Sequence, residues 1–299
     1  MRPAQTILIV LLTAACFAPA FAATPERPAL DPAILERVRR PIVYRVPRME
    51  DVKVLANLRY SSIDEPRLRM DVYLPPEPAG EKRRPVVLLL HGGAPAGIPV
   101  KDAGAFRSWG RVIAAQGMVA VVAGHRLEWP LARLEEAAAD VVTALDYVRT
   151  KSGEWQADAD RICVAAWSAG GPLLSVALRE PRPYIRCQLG IYPLIDIRPP
   201  EPASASALQR QYSLSTYLKE PAFPPLFVAR AGRDAIPELN ERLDRFVADA
   251  VAANVPLTFV NHPQGLHGFD VDNDDERSRE IIRAALEFMH VHLFAAAAD

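Results

Sequence analysis

CVAAWSAGGP, residues 163–172, runs an apolar, strand-like segment straight into Ser168 and then into Gly170 and Gly171. A polar residue at such a junction can serve as a turn, as a helix N-cap or as a nucleophile. On a sharp strand-to-helix turn, a serine can be held in a strained conformation that lifts its hydroxyl clear of the sheet. Strand and helix backbones then come close, so the residues two before and two after must be small. Here they are Ala166 and Gly170. A helix opening at Ala169 would also aim backbone N–H groups at a developing negative charge. The ten residues fit a cap and a nucleophile alike, and their surroundings must choose.

Outward from this stretch the pattern is regular. DVKVLANLRY (51–60) and RLRMDVYLP (67–75) have strand-like composition and a turn-like SSIDEP between them, as expected of antiparallel strands. PVVLLL (85–90) and MVAVVAG (118–124) are continuous apolar runs, the pattern of strands buried on both faces. RICVAAW, CQLGIYPLI, PPLFVARAG and PLTFVNH are further strands. Helical segments lie between them: 103–117, an amphipathic 131–150, SAGGPLLSVALRE (168–180), 236–255 and a closing 275–294 with Ile281, Ile282, Ala285, Phe288 and Met289 inward. This alternation predicts an α/β fold with a mostly parallel central sheet and helices on both faces. In such sheets the chemistry collects at the carboxyl ends of the strands. The polar residues standing there are His91, His125, Ser168, Asp196, Asp234 and His262 or His267.

HGGA (91–94) follows one of those strands, and its glycines let backbone approach a ligand closely. Together with AAWSAGG, ARAGRDAIP and GLHGFD, in that order, it resembles the α/β-hydrolase superfamily in its HGG-type esterase/lipase (carboxylesterase-like) branch, over roughly residues 50–295. The resemblance implies an α/β-hydrolase fold with a small cap and a triad of Ser168, Asp234 and His267. It also implies an oxyanion hole from backbone N–H groups among Gly92, Gly93, Ala94 and Ala169, and cleavage of small or short-acyl carboxylic esters through an acyl-enzyme. Asp196 is the alternative acid. His262 is expected to be an exposed loop residue, His91 to stiffen the HGG loop, and His290 and His292 to be structural or surface residues. Asp270 and DNDDE are expected to form a solvated start to the last helix; their spacing is poor for calcium. Ala166, Ala94, Trp167 and GHRLEWP depart from the branch's usual residues and bear on the subfamily. A non-catalytic binding protein on the same fold, and a peptidase or thioesterase with the same triad, are the competing readings.

The remaining expectations come from composition. The chain has 299 residues, half of them apolar, and a net charge of -1, which gives no electrostatic reason to expect nucleic acid as a partner. The chemistry implied needs no cofactor and no metal. Residues 1–22 read as a secretory signal, with Arg2, an apolar run to Ala18 and small residues at Ala20 and Ala22. A secreted or periplasmic protein without a stable membrane span is expected after its removal, with lipid attachment at Cys16 as the alternative. Residues 23–50 are read as an extended N-terminal arm, 51–299 as the hydrolase domain and about 196–222 as its cap. Cys163 and Cys187 are expected to be buried free thiols, with a single bridge between them as the alternative in an oxidising compartment. Nothing in the sequence sets an oligomeric state.

Overall fold

The structure, a computed structural model, describes residues 32–77, 80, 82–93, 100–198 and 205–295. The signal reading at 1–22, Cys16 and Ala94 lie outside these residues. Eight strands form one sheet: β1 (Lys53–Arg59), β2 (Arg69–Leu74), β3 (Arg84–Leu90), β4 (Val119–Ala123), β5 (Ala157–Trp167), β6 (Ile185–Ile191), β7 (Leu226–Ala231) and β8 (Leu257–His262). Their order is β1-β2-β4-β3-β5-β6-β7-β8. β2 runs antiparallel to both neighbours, and the six strands from β4 to β8 are mutually parallel. The helices are α1 (Pro32–Arg39), α2 (Gly104–Ala115), α3 (Leu134–Lys151), α4 (Val176–Arg179), α5 (Ala207–Gln211), α6 (Leu239–Ala252), α7 (Phe269–Asp272) and α8 (Glu276–Phe294).

The apolar runs explain the layers. Along β3, Val86, Leu88 and Leu90 point to one face and pack with α3 and α6, through Val141, Leu145, Leu243 and Phe246. Val87 and Leu89 point to the other face and pack with α2 and α8, through Trp109, Ile113, Ile282 and Met289. A strand apolar at every position is what a sheet covered on both sides requires. The helix ends follow local chemistry. Gly117, at φ +87, closes α2, with N–H groups of residues 116 and 117 donating back to Ile113 and Ala114. Asp275 caps α8 by accepting from Ser278 N at 2.8 Å.

Four expectations are corrected. The described part of the N-terminal arm, from residue 32, is not extended: Pro32 opens α1 and Pro41 follows it, and the chain beyond lies on the α2–α8 side with Ile42 and Met49 buried. The segment after Ser168 is a 3-10 run, Ser168–Ser175, before the short α4, because Pro172 has no N–H to give a longer α-helix. His262 is 2% exposed, not a surface residue; its Nε2 meets Ser278 Oγ at 3.0 Å and Asp275 Oδ1 at 3.2 Å. Asp270 is fully buried, whereas Asp272, Asp274 and Asp275 pair with arginines or cap α8. Cys163 and Cys187 face each other across β5 and β6 as buried free thiols, as expected. The described part of the cap segment is α5, with a Ser206–Gln209 capping box, and a 3-10 turn at Leu214–Tyr217. Among the described residues no helix is long and apolar enough to cross a membrane.

Candidate active site

Ser168 stands directly after β5, and its φ is +54°. A non-glycine residue held in this region is strained, and the surroundings hold it there. Ser168 O accepts from Leu194 N at 2.9 Å. A Cβ on Gly170 would stand 2.5 Å from His91 O, and one on Gly171 2.5 Å from Leu194 O, so the two glycines let this turn press against the ends of β3 and β6. Two residues before the serine, Ala166 is wholly buried in register with Leu90 and Gly190. One methyl group fits there.

Asp234, beyond β7, and His267, beyond β8, complete a line. The Ser168 hydroxyl lies 2.8 Å from His267 Nε2, and His267 Nδ1 lies 2.6 Å from Asp234 Oδ2. The carboxylate is acceptor-only, so Nδ1 carries the proton and Nε2 is left to accept from the serine. Asp234 has no solvent-exposed side chain, and its second oxygen accepts from Ile236 N at 2.9 Å, which fixes its plane. The His267 ring rests 4.7 Å from that of Tyr192, itself at φ +38°. The alternative acid, Asp196, is committed elsewhere: it takes Arg198 and the Ser215 hydroxyl.

Gly92 and Gly93 follow β3 at the edge of the site. A Cβ on Gly92 would come within 3.0 Å of Ser168 Cβ, and one on Gly93 within 3.2 Å of Trp129 backbone. Ala169 is the second residue of the 3-10 run, in its first turn, where N–H groups lack partners within the turn. A first cavity of about 320 Å³ lies on the side of Gly92, Gly93, Trp167 and His267. A second, about 300 Å³, lies on the side of Ala169, Leu194, Ile197 and Leu239. Ser168, Trp129 and Ile236 border both.

Behind the HGG loop, His91 and His125 stack with ring centroids 3.7 Å apart. His91 Nδ1–H donates to Gly92 O at 2.7 Å, which stiffens the loop as expected. Burial pushes the His91 imidazole down to about 4, and holds His125 well below its ordinary value. Both are neutral in the folded protein and protonate first in the unfolded chain. Stability is therefore present above the ordinary histidine pKa of about 6.5 and drains away as pH falls from there toward 4, with His91 alone worth about 3 kcal/mol. His125→Phe keeps the stack, and its ring replaces a buried Nε2 that has no hydrogen-bond partner among the described residues. Melting temperature against pH is expected to fall less steeply below pH 6.5 in this variant.

Sequence reading missed a buried cluster under the site. Asp270 accepts from Trp109 Nε1 at 2.8 Å, Trp167 Nε1 at 3.2 Å and Tyr192 OH at 2.7 Å. Trp167 precedes the serine and Tyr192 supports His267. Burial pushes the Asp270 carboxyl up, and the three donors act against that rise. The signal for it was Asp270 following HGF directly, masked by the acidic run beside it.

The strand order, the strained serine after β5 and the acid and histidine after β7 and β8 define the α/β-hydrolase fold. The model of the BD-FAE family, an α/β-hydrolase family, matches residues 70–180. A thermophilic esterase from Thermogutta terrifontis is similar in structure, with 20% identity, 89% of this chain and 100% of that one covered, and a TM-score of 0.67. Esterase B from Lactobacillus rhamnosis has 20% identity, 83% and 89% coverage and a TM-score of 0.64. At this identity the likeness is one of fold. In sequence, 251 residues are 26% identical to 5-methylorsellinic acid synthase of Aspergillus terreus; this covers 80% of the chain and 8% of that much longer protein.

Proposed function

We infer that the protein is a serine hydrolase that cleaves carboxylic esters through an acyl-enzyme. The observation that carries this reading is the unbroken line Ser168–His267–Asp234, with spacings of 2.8 and 2.6 Å, at a serine held at positive φ. His267 Nε2 takes the Ser168 proton as Oγ attacks the carbonyl carbon, and Asp234 stabilises the imidazolium that forms. The N–H groups of Gly93 and Ala169, with Gly92 beside them, receive the oxyanion; each such donor is worth about 2.7–4 kcal/mol where it has been measured. His267 then protonates the leaving alcohol, and water releases the acyl group by the same route. Two cavities of about 300 Å³ flanking one serine fit small acyl and alcohol groups. The structural relatives agree with this reading: the Thermogutta protein is an esterase that paraoxon phosphorylates.

A fluorophosphonate probe is expected to label Ser168, with the adduct mapped by mass spectrometry, and Ser168→Ala to abolish labelling. A folded protein that stays unlabelled points instead to a binding protein on this fold. Export is part of the same proposal: the mature chain is expected to begin at Ala23, as intact mass after expression in a secreting host would read.

A further inference from the structure

Arg37, on α1, borders the first cavity beside His267 and Gly268. Its guanidinium lies over Gly268: a Cβ there would stand 2.6 Å from Arg37 Nη2. Gly268 also has φ +88°, so a side chain next to His267 would be strained and would displace the arginine. The helix that carries Arg37 is firmly seated. Arg37 Nε and Nη2 donate to Asp272 Oδ2 at 2.9 and 2.6 Å, and Arg40 donates to Oδ1 of the same carboxylate. At its end α1 presses on the start of α2, where a Cβ on Gly104 would stand 2.1 Å from Arg39 O.

One carboxylate, Asp272, faces two guanidiniums, and Asp270 is buried with three donors of its own. Arg37 Nη1 makes no hydrogen bond among the described residues. The rest of the cavity is largely apolar, with Val100, Phe106, Trp129, Trp167 and Ile236 in its walls. Arg37 is the cavity's permanently charged side chain among the described residues. An aromatic and aliphatic pocket with one guanidinium at its edge is complementary to an apolar body that ends in a carboxylate.

We propose that Arg37 selects esters whose portion in the first cavity carries a carboxylate. This rests on the ester-hydrolase reading and names its substrate class. The Arg37 side chain is 53% exposed, so water weakens the pairing and the effect is moderate. Two matched pairs test it: 4-acetoxybenzoate against 4-methylphenyl acetate, with the anion on the leaving side, and monomethyl terephthalate against methyl 4-methylbenzoate, with the anion on the acyl side. For one pair, the ratio of kcat/KM for the anionic ester to that for the neutral one is expected to fall roughly tenfold in Arg37→Gln, mainly through KM. Arg37→Lys should keep part of the ratio, Asp272→Asn should raise it, and added salt should lower it in the wild type.

If both ratios move less than twofold in Arg37→Gln, while fluorophosphonate labels Ser168, Arg37 merely anchors α1 and the proposal is wrong. If the folded wild type neither labels nor hydrolyses any of the four esters, the ester-hydrolase reading fails and the substrate class falls with it. Should Arg37→Gln fail to fold, Arg37→Lys and the salt dependence read the same ratio; a wild-type ratio indifferent to both overturns the proposal.

Discussion

Asparagine in place of Asp234 is expected to lower kcat on a simple ester by about 10⁴-fold, with KM nearly unchanged. The size follows from what Asp234 does here. Its Oδ2, 2.6 Å from His267 Nδ1, can only accept, so the proton stays on Nδ1 and Nε2 faces the Ser168 hydroxyl with a lone pair. An asparagine can turn its amide so that Nδ2–H donates to Nδ1. The proton then sits on Nε2, and the base no longer accepts from Ser168. Asp234 is buried and fixed by Ile236 N, so neither water nor another acid can replace it. Asp196→Asn is the control. Asp196 spends its oxygens on Arg198 and Ser215 rather than on His267, and the change should leave kcat within about threefold. Burial raises the Asp196 carboxyl, but its hydrogen bonds outweigh that and hold it below the usual range. Its contribution to stability is therefore present above the ordinary carboxylate pKa and is lost as pH falls below it. Equal losses from the two asparagine variants would reject Asp234 as the orienting acid.

The sheet and the residues that meet in the Ser168–His267–Asp234 line were legible because both are written in short-range patterns. A strand buried on two faces must be apolar throughout, so β3 and β4 are visible as runs, and Ser168, Asp234 and His267 stand just past the ends of such runs. Ala166 was legible for a related reason: a tight turn demands a small residue there, whatever its name. What stayed hidden depends on partners distant in sequence. α1 has eight residues, too few to be stable by themselves, and is held by Asp272, 235 positions from Arg37. His262 looks like a loop residue until α8 folds its first turn over it. Asp270 sits among acids that are solvent-facing or paired at the surface, and composition cannot single out the one that turns inward.

That inward acid carries the second large expectation. Asp270→Leu should destabilise the protein by about 4 kcal/mol, read as the midpoint of chemical denaturation, and should depress activity beyond the loss of folded protein. The leucine cannot accept, so the Trp109 and Trp167 indole N–H groups and the Tyr192 hydroxyl all lose their buried partner at once. Each orphaned donor costs on the order of 1–3 kcal/mol, offset in part because a costly buried charge is removed as well. Asp270→Asn keeps one accepting oxygen but turns an N–H₂ toward the other donors, and about half the loss is expected. The consequence for activity runs through two neighbours. Trp167 is the last residue of β5 before the strained Ser168, and the Tyr192 ring braces His267 from 4.7 Å. Released from Asp270, both can shift by fractions of an ångström, enough to lengthen the 2.8 Å contact on which proton transfer depends. Fluorophosphonate labelling of folded Asp270→Asn should accordingly slow by about tenfold or more. Labelling at the wild-type rate would make Asp270 a core residue and nothing else.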